Sequence, residues 1–279
     1  MAKNWLITGT STGLGRLMVE RLLARGDTVA ATLRRPGALD DLKQHHGDSL
    51  QVFTVDLTNV EQIRSGVAEV FERLGRVDIA VSNAGYGLFG AAEEVSDAQI
   101  DRQIATNLTG PIQFVRALLP RMRAQGGGRI VQVSSEGGQI AYPNFSLYHA
   151  TKWGIEGFVE SVRQEVATFG IDFLIAEPGP TATNFAAGLD HAVAMACYDQ
   201  TPAGDVRRGL TSGSWAIRGD AGKTVEAIIA AADAKKPPLR LALGSSAYQG
   251  VHKALAERTR ELEEYKSVAL SADVDEQRV

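Results

Sequence analysis

The chain has 279 residues, 44% of them hydrophobic, and a formal charge of −4 with both signs spread along its length. That length and apolar content fit one large domain with a substantial core. The lack of any Lys/Arg block argues against a nucleic-acid partner, and no apolar run is long enough to cross a bilayer. The single cysteine, Cys197, excludes an internal disulfide, and no basic-then-apolar leader precedes the first strand-like residues at Asn4. A cytoplasmic protein is the expectation.

Short β-branched or apolar runs alternate with longer helical patterns. The expected strands are 5–8, 28–33, 51–55, 77–82, 130–134, 172–177 and 239–243. Several are apolar almost throughout, as strands covered on both faces are. Leu14, Met18 and Leu22 recur at i+4 with Leu17 on the same side, which is one face of a helix. Thr58-Asn-Val-Glu61 and Ser96-Asp-Ala-Gln99 read as capping boxes that open two further helices. The alternation implies an α/β chain: a single doubly wound domain over 1–279, with a parallel sheet and helices on both faces. Residues 184–222, rich in Ala, Gly, Thr and Asp, are too long for an ordinary connection and form an insertion that is functional or disordered. The polar tail over about 267–279 is expected to be flexible. None of the five histidines has metal-ligand spacing, His45-His46 reads as a solvated loop, and no metal is expected.

The first strand runs into Thr8-Gly-Thr-Ser-Thr-Gly-Leu-Gly15. Glycines allow a sharp turn and a close approach of backbone to ligand. The helix that follows offers free amides and a dipole to a pyrophosphate. The candidate cradle is Gly9, Ser11, Thr12, Gly13, Leu14 and Gly15, although the spacing is not G-x-G-x-x-G. The second strand ends at Leu33, followed by Arg34 and Arg35. NAD sites place an acid there for the ribose hydroxyls, and NADP sites an arginine for the 2′-phosphate. With no acid and a guanidinium at Arg34, the reading is NADP(H) rather than NAD(H), with Arg35 the weaker partner. Asp56 and Leu57 end the third strand; Asp56 either accepts from the adenine amino group or serves only the turn.

Tyr148 and Lys152 lie four apart in a helical stretch and so share a face. A phenol with a reference pKa of about 10 is too weak a base at neutral pH, and a neighbouring ammonium would lower it.

Thr8-Gly9, Gly13 and Gly15, then Asn83-Ala-Gly85, Asn107, Ser135, Tyr148-His-Ala-Thr-Lys152, and Pro178-Gly179 with Thr183 occur in this order. The series resembles the classical short-chain dehydrogenase/reductase family over about 3–182, and more weakly near 239–243. The resemblance implies a Rossmann-like sheet of seven strands in the order 3-2-1-4-5-6-7. It implies an oxidoreductase that moves a hydride between NADP(H) and the carbonyl or secondary-alcohol carbon of a small molecule, with Ser135 orienting the substrate oxygen and Ser134 as its fallback. Tyr148 would be the acid/base. Lys152 would tune it and bind the nicotinamide ribose, and Asn107 would hold a water in a proton relay. Pro178, Gly179, Thr181 and Thr183 would lie at the nicotinamide, with Thr183 anchoring its carboxamide. Asn83, Ala84 and Gly85 either shape the cofactor site or form a strand-end turn. The family also implies a homodimer or homotetramer, paired through helical stretches near 106–122 and 148–168.

Two positions depart from the family pattern: Thr12, where one NADP-preferring group has a basic residue, and Ser82, where a second Asn is usual. The substrate wall implied by the resemblance is apolar: Phe185, Leu189, Met195, Cys197 and Tyr198, with Gln139, Tyr142, Phe145, Tyr86 and Phe89. Such a lining disfavours anionic substrates and suits steroid-like, terpenoid or aromatic ketones. Cys197 reads as a small buried hydrophobe. The chain is similar to the 17β-hydroxysteroid-dehydrogenase-like branch. A non-catalytic NADP-sensing regulator on the same fold would lack the tyrosine. A nucleotide-sugar epimerase or dehydratase would have a different glycine spacing and a longer C-terminal domain.

Overall fold

The apolar runs become strands buried on both faces, because helices cover each side of the sheet they form. In the computed structural model, which describes residues 2–213 and 217–274, the strands are β1 (Asn4–Thr8), β2 (Thr28–Leu33), β3 (Leu50–Thr54), β4 (Ile79–Ser82), β5 (Gly128–Val133), β6 (Ile171–Pro178) and β7 (Arg240–Leu243). They pair in parallel in the order β3-β2-β1-β4-β5-β6-β7, the Rossmann-like order that the resemblance implies. The strand ends lie within two residues of the sequence reading, and β2 coincides with it.

Alternate residues of one strand serve opposite layers. Trp5 and Ile7 of β1 pack with Met18 and Leu22 of α1 (Gly13–Ala24) and Ile228 of α8 (Ala221–Asp233). Leu6, between them, faces Ile63 and Val70 of α3 (Val60–Leu74), Phe114 and Leu118 of α5 (Gly110–Ala124), and Val159 of α6 (Ser146–Val166).

Helix starts follow local chemistry. Ser96 caps α4 (Asp97–Ile104) in a full capping box with Gln99. At Thr58 no box forms: Asn59 caps α3 alone, accepting from the Gln62 N–H at 3.1 Å, while the Gln62 side chain accepts from the Asp56 N–H. Thr58 instead donates its hydroxyl to Asp56 Oδ1 at 2.8 Å, a charge-assisted bond that turns it toward the preceding loop and away from the helix amides. Between α4 and α5 the chain makes a π-helical turn, Ala105–Thr109, that carries Asn107.

Helix α9 (Ser245–Glu264) precedes the polar tail, whose first residues, 267–270, lie in the short helix α10 (Lys266–Leu270). Residues 275–279 of the expected flexible tail lie outside the described residues. His45 and His46 close the short helix α2 (Asp40–His46) rather than a loop.

The long insertion is folded onto the body. Asp190–His191 pairs in parallel with Leu88–Phe89, and α7 (Pro202–Thr211) follows. A pin holds it. The Glu94 carboxylate, 1% exposed, takes both oxygens to Arg207 Nη2 at 2.5 and 2.7 Å and accepts from the Met195 and Ala91 N–H groups at 2.8 Å each. Asn144 adds a bond to the Ala203 carbonyl at 2.7 Å. A buried carboxylate is tolerated only when so paired, and losing one partner of such a pair costs about 3–5 kcal/mol. Glu94→Ala should therefore raise limited-proteolysis cleavage within 186–212 at least about tenfold. An unchanged cleavage pattern would show that other contacts hold the insertion.

Candidate active site

The carboxyl ends of β1 and β4 diverge where the strand order reverses, which leaves a crevice. Gly9 turns the chain there at φ +71°, and a Cβ on it would meet Ala84 Cα at 2.6 Å. At Gly15 a Cβ would lie 2.3 Å from the Gly9 carbonyl oxygen. Neither position admits a side chain. Gly13 opens α1 at φ +59°, and Thr12 at the N-cap makes no side-chain cap, so the first amides of α1 stay open to an anion. Thr8 Oγ1 accepts from the Asn83 and Ala84 N–H groups at 2.9 and 3.1 Å, and Asn83 Nδ2 donates to the Thr8 and Gly9 carbonyls at 2.9 and 3.1 Å. Asn83-Ala84-Gly85 is thus bound to the glycine turn.

At the end of β2, Leu33 is buried while Arg34 and Arg35 are exposed. Among the described residues neither arginine has an ion-pair partner. Asp56 commits Oδ1 to Thr58, and Leu57 is buried beside it. Burial raises the Tyr86 phenol, against the pull of Arg102 and, more weakly, Arg34.

On the far side of the crevice, α6 places Tyr148 and Lys152 on one buried face. The Ser135 hydroxyl lies near enough to the Tyr148 phenol to act on it. The Ser135 hydroxyl oxygen accepts from the Gly137 N–H at 3.1 Å and lies 3.5 Å from the Pro178 carbonyl. Lys152 donates to the Val133 carbonyl at 3.0 Å, with its Nζ 5.6 Å from the Tyr148 ring centroid. Burial pushes the Tyr148 phenol up to about 12, with the Ser135 hydroxyl pulling it down, and burial brings Lys152 down to about 8 against the field of Glu156. The depression expected for Tyr148 is absent in this geometry: both groups are dehydrated, and the ammonium bonds a carbonyl instead of the phenol.

Asn107 spends its side chain on the Tyr86 backbone, donating to the carbonyl at 2.7 Å and accepting from the N–H at 3.1 Å. Ser134 donates to Glu156 Oε1 at 2.5 Å and so points away from Tyr148. Thr181 closes the turn after Pro178-Gly179 by donating to the Gly179 carbonyl at 2.8 Å, and Thr183 accepts from the Phe185 N–H at 3.2 Å.

The apolar wall differs in part from the expectation. Phe89, Phe145 and Tyr148 form a cluster with Tyr142 and Leu189 against it, and Phe185 meets the Tyr148 ring edge-on at 5.7 Å. Gln139 leaves the wall to bond both oxygens of Glu177 at 2.8 Å, since a buried carboxylate outcompetes a pocket for its amide. Cys197 is exposed, not buried. Tyr198 turns out to donate to Glu93 at 2.8 Å, and Met195 is 37% exposed.

Sequence reasoning missed Val206 and Leu210 of α7, which pack on the wall; nothing local marks them, because only the folded insertion brings them there. It also missed Glu136 and His149, buried with Glu136 Oε2 and His149 Nε2 lacking hydrogen-bond partners. Burial raises Glu136 to about 7 and lowers His149 to about 4.

Residues 3–194 match the family model described as short chain dehydrogenase. An oxidoreductase of Botryotinia fuckeliana, BOA17, is 34% identical over 98% of this chain and 100% of its own. A short-chain dehydrogenase from Streptomyces avermitilis superposes with a TM-score of 0.89 at 39% identity, covering 98% of each chain. A short chain dehydrogenase from Burkholderia cenocepacia, solved in complex with NADP, shares the fold at a TM-score of 0.74 and 22% identity over 94% of this chain and 97% of its own. The fold and these matches define a Rossmann-like oxidoreductase. The chain belongs to the short-chain dehydrogenase family.

Glu136 yields a pH test. Its pKa in the folded state, about 7, lies above the ordinary 4.5. Its contribution to stability is therefore fully present below pH 4.5 and lost as the pH rises through about 7. Glu136→Gln cannot ionise. Its melting temperature relative to wild type should rise between about pH 5 and pH 8, measured by scanning calorimetry. A pH-independent difference would place the carboxyl in water.

Proposed function

We propose that this protein is an NADP(H)-dependent oxidoreductase that moves a hydride between the nicotinamide and the carbonyl or secondary-alcohol carbon of a mainly apolar small molecule. The observation that carries the reading is the Tyr148 phenol. It lies within reach of the Ser135 hydroxyl, one helical turn from Lys152, at an apolar wall of Phe89, Tyr142, Phe145 and Leu189.

The residues present fit the dinucleotide. Gly9 and Gly15 leave room where a Cβ would collide, and the uncapped start of α1 offers amides to a pyrophosphate. Ser11, Thr12 and Leu14 complete that turn. Asp56, Leu57, Asn83, Ala84 and Gly85 would flank the adenosine and the ribose. Pro178, Gly179, Thr181 and Thr183 would hold the nicotinamide end. The exposed, unpaired Arg34 beside an end of β2 without an acid favours the 2′-phosphate, and the NADP complex of the Burkholderia relative agrees with this choice.

Bound nicotinamide supplies or accepts the hydride. Ser135 donates to the substrate oxygen once its long contact with the Pro178 carbonyl is given up. Tyr148, protonated at neutral pH, gives that oxygen its proton in reduction and takes it back in oxidation. Lys152, charged below about pH 8, stabilises the phenolate left behind. The side chain of Asn107 is occupied by the Tyr86 backbone, so a relay through this residue would have to use its main chain.

Tyr148→Phe keeps the ring and removes the proton. Turnover of ketones with NADPH should fall at least about a hundredfold while cofactor affinity stays near wild type. Near wild-type turnover would refute the assignment.

Cofactor choice is tested at Arg34. A charge-assisted contact is worth roughly 1.5–3 kcal/mol, so Arg34→Ala should weaken NADPH about ten- to a hundredfold and leave NADH almost unchanged. Adding Leu33→Asp should reverse the preference. Equal loss for both cofactors would reduce Arg34 to a solvated loop residue.

A further inference from the structure

Among the described residues, glycines aside, only Asn144 has a positive φ, +70°. It lies in the segment between Ser135 and α6, flanked by Tyr142 and Phe145 of the apolar wall, and is 4% exposed. Its Nδ2 donates to the Ala203 carbonyl in the first turn of α7 at 2.7 Å, and its own carbonyl accepts from the Gly90 N–H at 2.9 Å. Its Oδ1 is buried without a hydrogen-bond partner. Glycine would adopt this backbone at less cost and would bury no unmet oxygen. An asparagine here is explained by its one bonded donor, not by the turn alone.

The two bonds lead to two sides of the insertion. Gly90 continues the strand Leu88–Phe89, and a Cβ on it would meet Ala192 Cβ at 2.5 Å, so the insertion closes directly on that backbone. Ala203 is fixed at the start of α7, where its N–H donates to Thr201 Oγ1 at 3.2 Å. Val206 and Leu210 follow at helical spacing and pack on the cluster of Phe89, Phe145 and Tyr148. Phe145, next to Asn144, stands at the N-cap of α6, and its ring lies 5.1 Å from Phe89, 5.3 Å from Tyr142 and 6.1 Å from Tyr148. One residue thus joins both halves of the wall. Its backbone carries the aromatic half, and its side chain holds the half that α7 supplies.

We propose that Asn144 is a positioning residue for the substrate pocket: its side-chain amide seats α7 over Tyr148 and so sets how large an apolar ketone the wall grips. The inference rests on the role proposed above for Tyr148 and its wall. A carbonyl at Ser135 and Tyr148 leaves the body of the ketone along Phe145, toward Val206 and Leu210. A small ketone uses only the first part of this path; a bulky one needs α7 in place.

Asn144→Gly keeps the backbone and removes the amide. Hydrogen exchange of the amides within 203–210, read by mass spectrometry on protein without cofactor, should quicken about tenfold, the loss of one buried hydrogen bond. Exchange in β1 and β4 should stay as in wild type. With NADPH, the KM for 2-acetylnaphthalene should rise about tenfold at unchanged kcat, while the KM for acetone and for NADPH stays put. Asn144→Asp keeps the shape and the turn but sets an acceptor against the Ala203 carbonyl, and should match or exceed the glycine variant. Asn144→Ala loses the amide and strains the backbone, and should add a fall in melting temperature.

Wild-type exchange of α7 in the Gly and Asp variants overturns the proposal. Faster exchange with an unmoved KM for the bulky ketone overturns it too, as does an equal rise for acetone. A wild-type enzyme that reduces neither ketone would defeat the proposed function, and the exchange of 203–210 would still decide whether the amide seats α7.

Discussion

The hydrogen bonds between Thr8 and Asn83 join the carboxyl ends of β1 and β4 where the sheet reverses its winding, and the site depends on them. One hydroxyl oxygen accepts two amides, and one side-chain amide spans two carbonyls of the glycine turn. The turn is drawn so close that Gly9 and Gly15 have no space for a Cβ. The constraint continues down the chain. Gly85 admits Asn107 to its side, Asn107 clasps the Tyr86 backbone, and the strand Leu88–Phe89 follows, on which the insertion pairs. Glycine turn, π-helical turn and apolar wall are thus parts of one hydrogen-bonded frame.

Burial sets the charge state inside that frame. A phenol held near 12 and an ammonium near 8 are the products of dehydration, each shifted toward its neutral form. Their order is preserved, with the phenol neutral and the lysine charged at neutral pH. That is the arrangement a proton donor to a ketone oxygen requires. Glu136 and His149, both buried beside this pair and both shifted toward neutrality, add no charge of their own near pH 6.

The insertion is held by different means from the sheet. Its closure depends on ion pairs: Arg207 on the buried Glu94 carboxylate and, at the surface, Arg102 with Gln99 on Asp190. Ion pairs of this kind are geometrically selective and add little net stability compared with apolar packing. A segment held this way can be closed in one defined position and still lie at the low-stability end of the molecule.

The sequence by itself determined the seven strands and their parallel α/β arrangement. The signals were local: apolar runs, helical spacing, and a glycine turn that no larger residue can enter. It also placed Tyr148 and Lys152 on one helix face, because four residues make about one turn. What it could not supply were the relations between distant segments. Thr58 resembled a cap until Asp56 claimed its hydroxyl. Gln139 resembled a pocket residue until Glu177, 38 positions away, took its amide. The polar tail resembled a frayed end, yet it is helical through Leu270. Val206 and Leu210 carry no local pattern. Only the tertiary structure decided them, since burial and partner choice depend on which segments the sheet brings together.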